Sequence, residues 1–162
     1  MSFEDLAARL RSQDKAEIVG AAQALGDLGD PRAYDPLVAL LGHADAAVRN
    51  AAALGLRQLG DGRARQPLLR AIADPATEGA RGTLVYALGG FDAAPIVPEL
   101  VQLIIHGNFE VSRQAFTVLE GIEGEIPTPI WNAAQAEVAR ALNTADDEKR
   151  GLLEELLQLF ED

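Results

Sequence analysis

An internal echo constrains this chain more than any other feature. The stretch ALGDLGDPRAYDPLVALL at residues 24–41 returns 31 positions later as GLRQLGDGRARQPLLRAI at residues 55–72. In that register Asp14 falls on Asp45, Ala21 and Ala22 on Ala52 and Ala53, Leu25 on Leu56, and Leu28 on Leu59. Gly29 and Asp30 fall on Gly60 and Asp61, Pro36 and Leu37 on Pro67 and Leu68, and Leu41 on Ile72. A third unit follows after 32 residues, with Arg49 on Arg81, Leu56 on Leu88, Leu59 on Phe91, Leu68 on Leu100 and Ile72 on Ile104. A fourth comes 31 further on, with Leu88 on Leu119 and Phe91 on Ile122. Repetition at such a period means stacked supersecondary units, none of which can bury its apolar face alone.

Each unit reads as two helices. In AAVRNAAALGLRQLG, Val48, Ala52, Leu56 and Leu59 recur at helical spacing on one face. Gly60, Asp61 and Gly62 then stop the helix. RARQPLLRAIAD supplies a shorter second helix carrying Leu68, Leu69 and Ile72, with Pro67 restricted to its first turn. The paired alanines line a helix with methyl groups and let its neighbour approach closely. No run alternates with a period of two, so strands are not expected. Hydrophobic residues make up 48% of the chain and aromatics 5%, so the core must be built from Leu, Ile, Val and Ala.

The pattern V-R-x-A-A-x-x-x-L-x-x-L-G-D, carried by Val48, Arg49, Ala51, Ala52, Leu56, Leu59, Gly60 and Asp61 and followed by a short P-L-L helix, resembles HEAT-like repeats of the phycobilisome-lyase type. The resemblance spans residues 14–122. It implies an all-α, right-handed α-solenoid of about five HEAT-like helical hairpins. The expected organisation is a single repeat domain over 1–162: an N-terminal cap helix at 1–13, core repeats at 14–122 and a C-terminal helical hairpin cap at 123–162. Proteins with this repeat include scaffolds, adaptors, pigment-attachment proteins and, in related arrays, enzymes. The resemblance also implies that the arginine of the pattern ties neighbouring units together through an aspartate. Asp45 and Asp30 are the candidate partners of Arg49. Arg81 repeats the position, and Arg113 follows one place out of register.

The flanks carry helix signals. Ser2 with Asp5 three residues on suits a helix start that offers Phe3, Leu6 and Leu10 to the stack. Near the other end, Thr128 is placed to cap and Pro129 to occupy the first turn of the next helix. Thr144 precedes an acidic first turn at Asp146, Asp147 and Glu148, ahead of a last helix bearing Leu152, Leu153, Leu156, Leu159 and Phe160. Trp131 reads either as a plug of this cap or as a binding anchor.

Charge narrows the function classes. With 14 basic and 25 acidic residues the chain carries −11, which repels phosphate backbones and anionic membranes and attracts basic protein surfaces. Neither nucleic acid nor membrane is an expected partner. The first residues are charged throughout, and no later stretch has the 18 apolar residues of a membrane span. The absence of cysteine removes disulfides and thiolate metal sites and points to a cytoplasmic setting.

No catalytic arrangement stands out: the sequence has no G-x-S-x-G, no H-E-x-x-H, no P-loop and no dinucleotide fingerprint. His43 and His106 occupy equivalent positions two units apart. Helices stacked about 10 Å from each other leave them roughly 20 Å apart, too far to share a metal. A helix C-terminus is where histidine is favoured anyway. Gly79, Gly82, Gly89 and Gly90 crowd what the register makes a long helix, where an interior glycine costs about 1 kcal/mol relative to alanine. They suggest tight packing or a hinge.

What remains is a surface. The resemblance puts the longer helices on the concave side, with outward positions at Gln23, Asp27, Asn50, Leu54, Arg57, Tyr86, Arg113, Thr117 and Glu120. Leu54 and Tyr86 stand where the pattern usually places charge, and an apolar centre inside a polar rim is how a protein-binding groove is built. The expected function is a non-catalytic protein–protein interaction module without cofactor or metal, gripping a protein along this face. A basic partner is the narrower form, and one version of it is an immunity protein neutralising a basic toxin. The competing expectation is a bilin-lyase-like or chaperone-like protein handling a tetrapyrrole, for which Leu54, Tyr86 and Phe116 are the apolar groups on offer.

Overall fold

A computed structural model describes residues 1–162. The chain is all-α, with no strands, and divides into two compact units, Met1–Phe91 and Asp92–Asp162. The division falls inside the stretch 14–122 over which the repeat register runs.

The first unit holds α1 (Phe3–Arg9), α2 (Lys15–Leu28), α3 (Tyr34–Leu40), α4 (Ala46–Leu59), α5 (Arg65–Ala73) and α6 (Gly82–Leu88). Its long helices begin and end by one rule. Asp14 and Asp45 in extended backbone accept N–H bonds from the first turns of α2 and α4. Gly29 and Gly60 close the same helices at φ +71° and +77°, a left-handed conformation that favours glycine. The short helices follow through 3-10 turns at Pro31–Ala33 and Gly62–Ala64, capped by Asp30 and Asp61. Pro67 lies in the first turn of α5. Packing runs α1 on α2, α2 on α4, α3 on α4, α4 on α6 and α5 on α6. The core it closes contains Leu25, Leu37, Leu56, Leu68, Leu84 and Leu88, all fully buried.

A second periodic device joins successive repeats within the first unit. Asp30 and Asp61 each hold the guanidinium two residues on, at Arg32 and Arg63, with both carboxylate oxygens engaged. Each guanidinium then covers an aromatic ring one unit earlier: Arg32 lies 4.2 Å from the Phe3 ring centre and Arg63 4.1 Å from that of Tyr34. The Tyr34 hydroxyl donates back to the Arg63 carbonyl at 3.1 Å. The side-chain bond from arginine, and then its backbone N–H, hold both aspartates below the ordinary carboxylate value.

The third long helix departs from the expectation. α6 has 7 residues where α2 and α4 have 14. The cause is Thr77, which stands where Asp45 caps α4. Its buried hydroxyl bonds to the Ala71 and Asp74 carbonyls, so it starts no helix. A turn with Gly79 at φ +80° intervenes before the helix begins at Gly82. Of the four glycines only Gly82 is helical; the others bound the helix instead of weakening its interior.

The second unit holds α7 (Val97–His106), α8 (Phe109–Glu120), α9 (Thr128–Leu142) and α10 (Asp147–Glu161). Asn108 restores the cap position lost at Thr77 and accepts from the Val111 N–H. α7 packs on α8, α9 and α10, and α9 packs on α10. Two helix starts differ from expectation. Thr128 is the first helical residue of α9 and makes no cap bond, because Pro127 and Pro129 already set the entry to the helix. α10 is capped by Asp146, expected inside its first turn, which accepts from the Lys149 N–H at 2.8 Å. The Trp131 indole N–H donates to the Phe160 carbonyl at 3.1 Å, and the two rings meet edge to face, 4.5 Å apart. Trp131 thus joins the start of α9 to the end of α10, as a plug does.

Candidate interaction surface

The repeat arginines are structural, but not through aspartate. Arg49, only 6% exposed, donates to the carbonyls of His43 and Ala44 at 2.9 Å. Asp45 pairs instead with Lys15 at 3.2 Å, and Asp30 with Arg32. The frayed end of α3 leaves carbonyls without helical partners, and Arg49 satisfies them. Arg81 does the same after α5, donating to the Asp74 carbonyl and the Thr77 hydroxyl. His43 has a backbone task of its own: its Nδ1 accepts the Asp45 N–H at 3.0 Å.

In the second unit this register position is Ser112, and Arg113 beside it is exposed, 3.9 Å from Glu155 and 5.7 Å from the Phe109 ring centre. The missing cation arrives from α10. Lys149 Nζ donates to the carbonyls of Ile104 (2.9 Å) and Gly107 (2.8 Å) and to the Ser112 hydroxyl. Burial holds the Lys149 ammonium below its ordinary value, with Asp146 and Glu148 opposing the shift. Ser112 and Lys149 together look like a nucleophile and its base, but the geometry is that of a cap. The serine is 1% exposed, its proton goes to carbonyls at 3.0 Å, and the three ammonium protons are all engaged.

The outward positions divide between the two units. On the first, Gln23 and Asp27 are exposed on α2, Asn50, Leu54 and Arg57 are half-buried along α4, and Tyr86 on α6 is 45% exposed. Arg57 and Tyr86 are in direct contact: the guanidinium lies 4.3 Å from the ring centre and donates to the Tyr86 carbonyl at 2.8 Å. Gly90 makes room for this, since a β-carbon there would collide with Arg57 Cγ. The Asn50 side-chain oxygen is buried without a hydrogen-bond partner. On the second unit Arg113, Thr117 and Glu120 are exposed along α8, and the Thr117 hydroxyl donates to the Arg113 carbonyl. Phe116 is half-buried on the same helix, so the apolar groups invoked for a pigment belong to different units. Sequence reasoning passed over Phe109, 62% exposed, and Leu28, 45% exposed. The signal for Phe109 was its register, which puts it where the earlier units have Ala46 and Glu78.

Residues 3–89, just over half of the chain, match the family of HEAT repeats, and the chain belongs to that family. In fold it is similar to a chain from the complex of CpcE and CpcF of phycocyanin lyase from Nostoc sp. PCC7120. That likeness has a TM-score of 0.62 at 18% identity and covers 98% of this chain and 82% of that one. No curated protein matches the sequence. No helix is long and apolar enough to cross a membrane.

Proposed function

We propose that the chain is a non-catalytic protein-binding module that holds its partner on the outward face of α4 and α6, with Leu54 and Tyr86 at the centre and Gln23, Asp27, Asn50 and Arg57 around them. The observation that carries this reading is Tyr86: an aromatic side chain nearly half exposed, fixed by the Arg57 guanidinium at 4.3 Å and so ordered before any partner arrives. Ordered aromatic and arginine groups are the usual anchors of protein interfaces, because little side-chain entropy is lost on binding. Membership of a repeat family built for interaction surfaces supports it, and so does the fold neighbour, itself half of a two-protein complex. The narrower form of this reading is a basic partner in the cytoplasm, of which a basic toxin is one form; its support is the −11 charge of the whole chain rather than the charge of this face.

Affinity purification from the native lysate, with Leu54→Asp/Tyr86→Ala and wild type side by side, tests it. The double variant loses the wild-type partner while its far-ultraviolet circular dichroism is unchanged. Equal recovery of that partner by both proteins removes this face from the function.

A further inference from the structure

The charge of this chain is unevenly placed. Met1–Phe91 carries 11 acidic and 10 basic side chains, a net of −1, whereas Asp92–Asp162 carries 14 and 4, a net of −10. The four cations of the second unit are all engaged. Arg113 and Arg140 lie near Glu155 and Glu137, and Lys149 and Arg150 donate to backbone carbonyls.

In the same unit a cleft of about 510 Å³ opens between α7 and α9. Val101 and Ala134 are buried at its base, and Pro98, Pro129, Ile130 and Ala133 form apolar walls that reach the surface. Ile130, Ala133 and Glu137 fall at i, i+3 and i+7 on α9, so one side of that helix serves the cleft. The charged residues lining it are Glu99 and Glu137, with no cation among them; Glu137 is shared with Arg140 at 3.2 Å, and Glu99 makes no ion pair. An apolar groove between two helices accepts the apolar side of a third, anchored at helical spacing.

We propose that the α7–α9 cleft docks a basic amphipathic segment of another protein, with aliphatic side chains between the two helices and Lys or Arg flanks over Glu99 and Glu137. Charge complementarity selects this occupant. A unit at −10 attracts a cationic segment, and a second copy of the chain would bring another −10 to the same contact. The site is separate from the α4–α6 face and does not depend on it.

Fluorescence anisotropy of the full chain with a labelled amphipathic Leu/Lys helix peptide, and with a scrambled peptide of equal composition, tests the proposal. The amphipathic peptide binds at least about tenfold tighter than the scrambled one, and Ala133→Trp removes that advantage, as filling an anchor pocket does. Gln102→Trp, exposed on the opposite wall, is a second plug that retains the test if the first misfolds. Glu99→Lys weakens binding and lowers its salt sensitivity. Equal binding of the two peptides, or unchanged affinity in both plugged variants, overturns the proposal. So does loss of binding in Leu54→Asp/Tyr86→Ala instead, which would place the peptide on the α4–α6 face. A dimer in sedimentation that both plugs dissolve would make a second copy the occupant and overturn it as well.

Discussion

Gly26 of α2 and Gly55 of α4 meet backbone to backbone. A β-carbon on Gly26 would lie 2.7 Å from both the Cα and the carbonyl oxygen of Gly55. One on Gly55 would lie 2.8 Å from the Ala22 carbonyl oxygen and 3.2 Å from Leu37 Cδ1. The two glycines are not equivalents in the repeat: Gly55 takes the place of Ala24, and Gly26 that of Arg57. The long helices therefore touch where a glycine of one unit falls beside a glycine of the next. The contact fixes the spacing at which α4 presents Leu54 and Arg57.

Gly26→Ala and Gly20→Ala should move stability in opposite directions. Both lie within α2, and alanine favours a helix over glycine by about 0.5–1 kcal/mol. At Gly20 nothing lies within 4 Å of the added methyl, so the gain is kept. At Gly26 the methyl strikes backbone, and overpacking of this kind costs about 1–3 kcal/mol. Urea midpoints check this: Gly20→Ala rises and Gly26→Ala falls. A Gly26→Ala midpoint at or above wild type contradicts the close contact.

Arg49→Met should destabilise by about 1.5–3 kcal/mol, the range for losing hydrogen bonds from a charged donor. The loss must be independent of Asp45, because Nη1 donates to the His43 and Ala44 carbonyls, Nε is buried without a partner, and Asp45 pairs with Lys15. Asp45→Asn keeps the cap of α4, since asparagine serves as well there. A double-mutant cycle is then additive to within about 0.5 kcal/mol. A larger coupling would restore the aspartate pairing that the resemblance implied.

Much of the fold was legible because its signals are local. Asp14, Asp45, Gly29 and Gly60 mark helix ends by chemistry that acts within a turn, and Leu25, Leu37, Leu56 and Leu68 repeat because each meets the same neighbours one unit later. The short α6 was missed because threonine can cap as well as aspartate; only its actual bonds, to the Ala71 and Asp74 carbonyls, reveal that it does not. Lys149 was out of reach for another reason. The register identifies the gap at Ser112 but cannot say that a side chain 37 residues on fills it. Of the surface residues that the resemblance implied, those on α2 and α8 are exposed and those on α4 are half-buried. The Arg57–Tyr86 stack could not be read from the sequence, because it spans 29 residues and depends on the room left at Gly90.

Acid should loosen the first unit through Asp30 and Asp61. Arg32 and Arg63 lower their pKa values in the folded chain, so the unfolded chain binds the proton more readily. The stability they contribute is complete above the unfolded value of 3.8 and is lost as the pH falls through the lowered folded values. Between about pH 5 and about pH 2.5 the urea midpoint of wild type should therefore fall more steeply than that of Asp30→Asn/Asp61→Asn. Parallel pH profiles would show that the Asp–Arg pairs contribute nothing in solution.

Lys149→Met should release α10 from the helices it is tied to. The ammonium satisfies the Ile104 and Gly107 carbonyls and braces Ser112, the office that Arg49 and Arg81 hold in the first unit. Methionine keeps the length and apolar stem but offers no donor, so three acceptors lose a charged partner, at a cost of about 1.5–3 kcal/mol. The effect should be regional. Amides of Asp147–Glu161 exchange faster, while those of α2 and α4 in the other unit do not change. Arg150→Met is the control: that side chain is exposed and bonds to the Ala145 carbonyl alone, so its loss stays within about 0.5 kcal/mol. Ser112→Arg in the Lys149→Met background restores protection at the ends of α7 and α8, because arginine then occupies the register position it holds at Arg49 and Arg81. If Lys149→Met exchanges like wild type, the lysine is an onlooker and α10 is held by Leu153, Leu156 and Phe160 alone.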